Sequence, residues 1–359
     1  MVNKIDSLQG EMRRQNFDWV FLTPSPNFRY VTGYKALPLE RLTILLIPTN
    51  GKPHLIVPRL ELMLAKEHVS IDCDITSFTE TENPVDLVAS IASGSIAVDP
   101  YMWSEKLLKF QAKMQTSQFA DATSIINVVR TIKDPSEIKA IIEAGKAIDW
   151  VHERVATIQF KGRTERQIGE EIKSLIFESG HETVDFVIVA SGPNSASPHH
   201  ELSDRVVQSG DVIVIDIGGT MPSGYCSDCT RMYVVDEVSE EFQDMYDVLQ
   251  EAQMKALQGA IVGTSCESVD SIARDTLAAA NLSEYFIHRT GHGIGLQTHE
   301  DPYIVQGNTQ KLVDGNAFSI EPGFYIEGKF GARIEDIVIS SNAGPIVCNN
   351  RPRDIIVVH

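Results

Sequence analysis

The sequence predicts an α/β (α+β) fold in two successive domains, and three observations predict it. The chain has 359 residues, more than one hydrophobic core ordinarily serves. Short apolar runs of strand length alternate with helical stripes. A helix-start signal with proline at the first helical position stands near residue 130, where the texture of the chain changes. The domains are expected over residues 1–127 and 128–359.

In the first domain, Phe17–Leu22, Leu42–Ile47 and Ser95–Val98 are strand candidates, punctuated by Pro24, Pro26 and Pro38. No cluster of His, Cys, Asp and Glu at ligand spacing occurs there, so a structural or substrate-capping role is expected. The second domain opens on Asp134 as N-cap, Pro135 at N1 and Glu137 at N3, ahead of the stripe Ile138, Ile141, Ile142, Ile148 and Val155. A second helix is expected over Thr164–Ser179, with Gln167 completing a capping box. Strand-like runs follow at Val184–Ala190, Val212–Ile217 and Arg231–Val235. Helices are expected over Glu240–Gly259 and Ser265–Ala280, then short strands over Ala317–Ile320, Gly323–Ile326 and Ile334–Ile339. The order helix, helix, strands occurs twice and suggests two similar halves.

Composition narrows the function. A net charge of −18 opposes binding to nucleic acid and to anionic membranes. No apolar run approaches the roughly 20 residues that span a bilayer. The polar N-terminal stretch MVNKIDSLQGEMRRQ lacks a signal-peptide core, so a cytoplasmic location is expected. Five scattered cysteines read as free thiols. Cys226 and Cys229 make one CxxC with no second pair, so they read as small packing residues.

Five segments carry the chemistry: IDIGG with Asp216, YCSDCTR with Asp228, RTGHGIG with His292, SIEPGF with Glu321 and ARIEDIV with Glu335. Asp216 ends the apolar strand VIVID, where a carboxylate is costly unless paired or metal-bound. Asp216 and Asp228 lie at hairpin spacing across a Gly/Ser-rich turn, as do Glu321 and Glu335 across another. Two facing hairpins would gather four carboxylates around a histidine. Bare anions that close raise each other's pKa strongly, and two divalent cations would neutralise them. Oxygen donors with one imidazole suit Mn²⁺, Co²⁺, Zn²⁺ or Fe²⁺. Taken singly, each residue could be an ordinary turn or edge residue; together, in this order, they point to a site.

The strings DIGGTMPSGYCSDCTR, HRTGHGIGLQTHEDP, SIEPGFY and GARIEDIV resemble the pita-bread metallopeptidase family, M24, which includes methionine aminopeptidase, aminopeptidase P and prolidase. The resemblance runs through residues 128–359. It implies a creatinase-like α/β domain followed by a pita-bread domain with pseudo-twofold halves. It further implies two divalent ions, manganese first, held by Asp216, Asp228, His292, Glu321 and Glu335, with Glu321 also acting as general acid/base. By resemblance, His199, His288 and His299 line the pocket, Arg333 binds substrate or orients carboxylates, and Tyr225 supports the second aspartate. His181 and His200 have weaker cases. A homodimer is implied as well.

The length of the first domain resembles that of enzymes cutting Xaa-Pro bonds, whose tertiary amide offers no N–H. Tyr303 stands where some prolidases carry an arginine for the proline carboxylate, and is expected among the substrate-binding residues. That departure tilts the expectation towards an aminopeptidase P acting on peptides with proline second, with a prolidase as the alternative. A metal-free creatinase-like or peptide-binding relative is set aside because all five ligand candidates are present. Nucleotide binding is set aside because GHGIG lacks the dinucleotide spacing.

Overall fold

The computed structural model describes residues 4–359. The chain forms two compact units, one ending at Arg130 and the other beginning at Thr131. No helix among the described residues is long and apolar enough to cross a membrane.

The first unit runs α1 (Lys4–Gln15), β1 (Trp19–Leu22), α2 (Pro26–Thr32), β2 (Ile44–Pro48), β3 (His54–Pro58), α3 (Leu62–His68), β4 (Asp74–Phe78), α4 (Pro84–Ile91), β5 (Ser95–Val98), α5 (Ser104–Lys113), β6 (Gln118–Asp121) and α6 (Thr123–Arg130). Its sheet has the order β4-β3-β2-β1-β5-β6. β1–β2 and β2–β3 are antiparallel, and the outer pairs are parallel. The three expected strands are β1, β2 and β5. Helices cover the sheet through contacts such as Phe21 on Phe110, whose rings meet edge to face at 5.7 Å.

The second unit begins with α7 (Pro135–Val155) and α8 (Glu165–Glu178), each started by the expected capping box. Then come β7 (Thr183–Ser191), β8 (Val212–Thr220), β9 (Cys226–Val235), α9 (Glu240–Gly259), α10 (Cys266–Ala279), β10 (Gly291–Gly293), β11 (Glu300–Ile304), β12 (Ala317–Ile320), β13 (Gly323–Ile326), β14 (Phe330–Arg333), β15 (Asp336–Ile339), β16 (Ile346–Val347) and β17 (Ile356–Val358). One sheet has the order β17-β9-β8-β7, another β11-β10-β12-β15-β16, and β13 pairs with β14. α7 and α8 pack Ile148, Val151, Ile168 and Ile172 on Ile213, Ile215 and Ile217 of β8, while α9 and α10 join a second core with Val214, Met232 and Phe318. Cys226 and Cys229 are free thiols in different apolar clusters, as packing residues would be.

Both expected hairpins exist, and their registers matter. β8 and β9 pair Gly218 with Asp228 and Asp216 with Thr230. Residues two apart share a strand face, so both aspartates rise from one face. In the second hairpin Ile320 faces Asp336 and Gly323 faces Arg333, so the same register sets Glu321 opposite Glu335. The single strand expected over Ile334–Ile339 is instead interrupted at Ile334 and Glu335. Pro322, opposite Ile334, has no N–H to donate, which weakens the ladder there. The Ile334 N–H still donates to the Pro322 carbonyl at 3.3 Å, and the next N–H, that of Glu335, points away from this ladder and donates to the Thr230 carbonyl of β9 at 3.3 Å.

Arg231 fastens the same junction. Fully buried, it reaches Asp336 Oδ1 at 2.7 Å and the carbonyls of Glu335 at 2.7 Å, Thr230 at 2.9 Å and Pro352 at 3.0 Å. Removing one partner of a buried ion pair leaves the other charge uncompensated. Arg231→Met should therefore lower the unfolding free energy by about 3–5 kcal/mol in urea titration, with partial recovery when Asp336→Asn is added. An unshifted midpoint in the single variant would contradict this role.

Candidate metal centre

The backbone carries the five acidic and histidine side chains to one buried point. His292 sits on β10, between β11 and β12. A Cβ on Gly291 would lie 1.9 Å from the Ser319 carbonyl oxygen, and one on Gly293 would lie 2.3 Å from the Asp301 carbonyl oxygen. Only glycine admits so close an approach of backbones on both sides, which is why the histidine is framed as GHG.

His292 Nδ1 lies 3.1 Å from the Gly293 carbonyl, which can only accept, so Nδ1 carries the proton and Nε2 the lone pair. That lone pair faces Glu321 Oε1 at 3.2 Å, Asp228 Oδ2 at 3.7 Å and Glu335 Oε1 at 3.9 Å. Four acceptors pointing at one another repel unless a cation or a proton lies among them. Asp216 Oδ1 and Glu335 Oε1 are buried and have no hydrogen-bond partner among the described residues. One donor atom from each of Asp228, His292 and Glu335 lies within 4.8 Å of the others. The set therefore fits a divalent cation, and the partnerless oxygens are where its charge would be felt.

The other lone pairs are held by neighbours that short-range reading missed. Thr230 donates to Glu335 Oε2 at 3.0 Å, and Ser319 donates to Glu321 Oε1 at 2.9 Å. Arg333 is buried; it donates to Asp216 Oδ2, to Tyr325 Oη at 2.6 Å and to Thr230 Oγ1 at 3.2 Å. Its nitrogens are thus engaged with Asp216, Tyr325 and Thr230. Tyr325 Oη lies 3.0 Å from His288 Nε2, and His288 Nδ1 donates to the Arg289 carbonyl at 2.7 Å. A chain of hydrogen bonds thus links Asp216, Arg333, Tyr325 and His288.

Electrostatics reflect the crowding. Burial, then Glu335, Asp216 and Glu321, push the Asp228 carboxyl well above the usual range. Burial, then Glu321 and Asp216, do the same to Glu335. His288 and His292 are pushed down to about 4, chiefly by burial, and are neutral at pH 7.

A cavity of about 1,700 Å³ opens over the cluster and is lined also by His199, His288, Arg289 and His299. His299 lies against His292, with ring centroids 4.0 Å apart. Tyr303 is not among the lining residues; its ring lies under the Arg289 guanidinium, 4.4 Å from centroid to Cζ. Tyr225 donates to Glu137 at 2.6 Å and so anchors the start of α7. His181 bonds Ser227 Oγ at 2.7 Å and His200 bonds Glu165 at 2.7 Å, both as framework contacts. Glu165, also missed, gathers Ser191, Asn194 and Ser203 behind the cavity wall.

Without a cation, Asp228 and Glu335 hold protons more tightly than in the unfolded chain. Groups with raised folded pKa stabilise the fold below their unfolded values, near pH 4, and that contribution is lost as pH rises through the folded values. Glu335→Gln should therefore stabilise chelator-stripped protein relative to the parent, by more at about pH 8 than at about pH 5. A variant no more stable than the parent at either pH, by urea titration, would refute the crowding account.

The family model described as Metallopeptidase family M24 matches residues 139–341, and that of the Creatinase/Prolidase N-terminal domain matches residues 4–132. The crystal structure of dipeptidase PepE from Mycobacterium ulcerans is 42% identical and superposes with a TM-score of 0.94, covering 99% of this chain and 97% of that one. Recombinant prolidase from Thermococcus sibiricus is 37% identical with a TM-score of 0.93, covering all of both chains (100% and 100%). An Xaa-Pro dipeptidase of Lactobacillus helveticus is 34% identical over 366 residues, 99% of this chain and 98% of the relative. With its two-domain α/β architecture and its cation-suited cluster of carboxylates and histidine, the chain belongs to metallopeptidase family M24.

Proposed function

We propose that the chain hydrolyses the Xaa-Pro bond of small peptides with divalent metal ions, with dipeptides as its first substrate class. The observation that carries this reading is the His292 lone pair turned onto three carboxylates within 3.2–3.9 Å. Asp216, Asp228, His292, Glu321 and Glu335 would hold two ions. Hard oxygen donors with one imidazole favour manganese, ahead of cobalt, zinc or iron. When bound, such ions supply positive charge that acidifies a water and polarises the scissile carbonyl.

The chain's own groups do the remainder. Ser319 holds Glu321 Oε1, which leaves Oε2 to take the proton of the attacking water and return it to the departing proline nitrogen. His199 and His299, exposed to the cavity, can donate to the developing oxyanion. His288, with both nitrogens engaged, positions Tyr325 and through it Arg333.

The relatives named dipeptidase and Xaa-Pro dipeptidase support dipeptides. A second reading, aminopeptidase P action on longer peptides, is favoured by the cavity of about 1,700 Å³, more than the ~300–1,000 Å³ of a small-ligand pocket. Five unpaired cysteines support a cytoplasmic location. A homodimer belongs to the same reading.

Ala-Pro and Ala-Pro-Ala, each offered with Mn²⁺, Co²⁺ and Zn²⁺, separate the readings. We expect hydrolysis of Ala-Pro, fastest with Mn²⁺. Asp216→Ala should lose bound metal and activity together. Preference for Ala-Pro-Ala would favour the aminopeptidase, and failure on both with every metal would refute Xaa-Pro hydrolysis.

A further inference from the structure

We propose that Arg289, carried on the ring of Tyr303, receives the free carboxylate of a dipeptide substrate. The inference rests on the Xaa-Pro reading and deepens it by naming what distinguishes a dipeptide from a longer chain.

Four cationic side chains line the cavity: Arg166, Lys173, Arg289 and Arg333. Three are already partnered. Arg166 pairs with Asp204 at 2.9 Å, Lys173 pairs with Glu170 at 2.7 Å, and Arg333 is held by Asp216, Tyr325 and Thr230. Arg289 differs. Among the described residues its guanidinium has no carboxylate or hydrogen-bond partner; its one contact of this kind is the Tyr303 ring, 4.4 Å from Cζ. An aromatic face attracts a guanidinium without consuming its N–H groups, which remain free in the plane of the fork. A half-buried guanidinium with free donors beside a substrate cavity is built for a planar anion bound by two hydrogen bonds.

The base of the side chain is rigid. The Arg289 carbonyl is held by His288 Nδ1 at 2.7 Å, and the next residue, Thr290, donates to Asp270 through N at 3.1 Å and through Oγ1 at 2.7 Å. The Thr290 carbonyl in turn accepts from the Glu321 N–H at 2.7 Å. Arg289 is therefore tied to the strand that bears His292 and to the backbone of Glu321. The chemistry of the substrate matches this placement. In an Xaa-Pro dipeptide the carboxylate is attached to the carbon next to the scissile nitrogen, so its receptor must share the cavity of the reacting bond. In a longer peptide that position holds a neutral carbonyl, which cannot replace the ion pair.

The experiment compares Ala-Pro with Ala-Pro-amide, which lacks the charge, using the metal-loaded parent and Arg289→Met, Arg289→Lys and Tyr303→Leu. The parent should prefer Ala-Pro in kcat/KM. Arg289→Met should shrink that preference about 10–100-fold, mainly through KM, because a charged hydrogen-bonded contact is lost. Arg289→Lys should restore part of it, and Tyr303→Leu should reduce it in the same direction by less. L-Proline binding by calorimetry, with prolinamide as control, should weaken in parallel. Equal losses on both substrates in Arg289→Met, or proline binding that does not respond, would overturn the proposal while leaving Xaa-Pro hydrolysis standing. A parent inactive on both substrates would overturn the underlying reading instead.

Discussion

The second unit is organised around an electrostatic conflict: four carboxylates and an imidazole lone pair meet in a buried space. Left alone, such a group of acceptors would drive its own strands apart. The fold resists through directed donors. Thr230 and Ser319 hold individual oxygens, and Arg333 lays a fixed positive charge on Asp216. Two oxygens, Asp216 Oδ1 and Glu335 Oε1, have no donor among the described residues. The polypeptide thus offsets part of the repulsion and leaves the remainder for a cation. Stability and metal affinity are consequently linked, because whatever relieves the cluster also tightens the sheet that bears it.

Two sheets contribute to this cluster, and their junction is as important as the ligands. Asp216 and Asp228 come from β8 and β9, while Glu321 and Glu335 flank the break between the two ladders of the second hairpin. Arg231 spans the gap with one guanidinium, binding the Thr230 carbonyl of β9, the Glu335 carbonyl at the break and the side chain of Asp336 on β15. Its position beside Thr230, whose hydroxyl touches Glu335, means that the charge network of the frame and that of the site are adjacent along one strand. Substitutions in either network are therefore expected to be non-additive.

Much of this was legible in the sequence because it is written locally. Hairpin spacing brought out Asp216 with Asp228 and Glu321 with Glu335, and capping boxes marked α7 and α8. The glycines around His292 signalled close backbone approach, although only the structure shows Ser319 and Asp301 as the neighbours. What escaped depends on contacts far apart in sequence. The break at Ile334 follows from Pro322 across the hairpin, Glu165 acquires meaning only from Ser191, Asn194 and His200, and Arg289 only from Tyr303. Tyr303 illustrates the limit: its place after His299 is visible in the sequence, whereas its ring lies under an arginine fourteen positions earlier and not in the cavity lining.

The pairing of β17 with β9 bears on how the molecule is made. Ile356–Val358 lies parallel to Tyr233–Val235 and covers the edge of the strand that carries Asp228. During synthesis β8 and β9 can pair as soon as they emerge, yet the outer edge of β9 stays open until the chain beyond residue 355 has followed. An uncovered apolar strand edge invites pairing with other chains. The nascent hairpin thus presents that edge throughout the interval in which the carboxylate cluster is still missing Glu321 and Glu335.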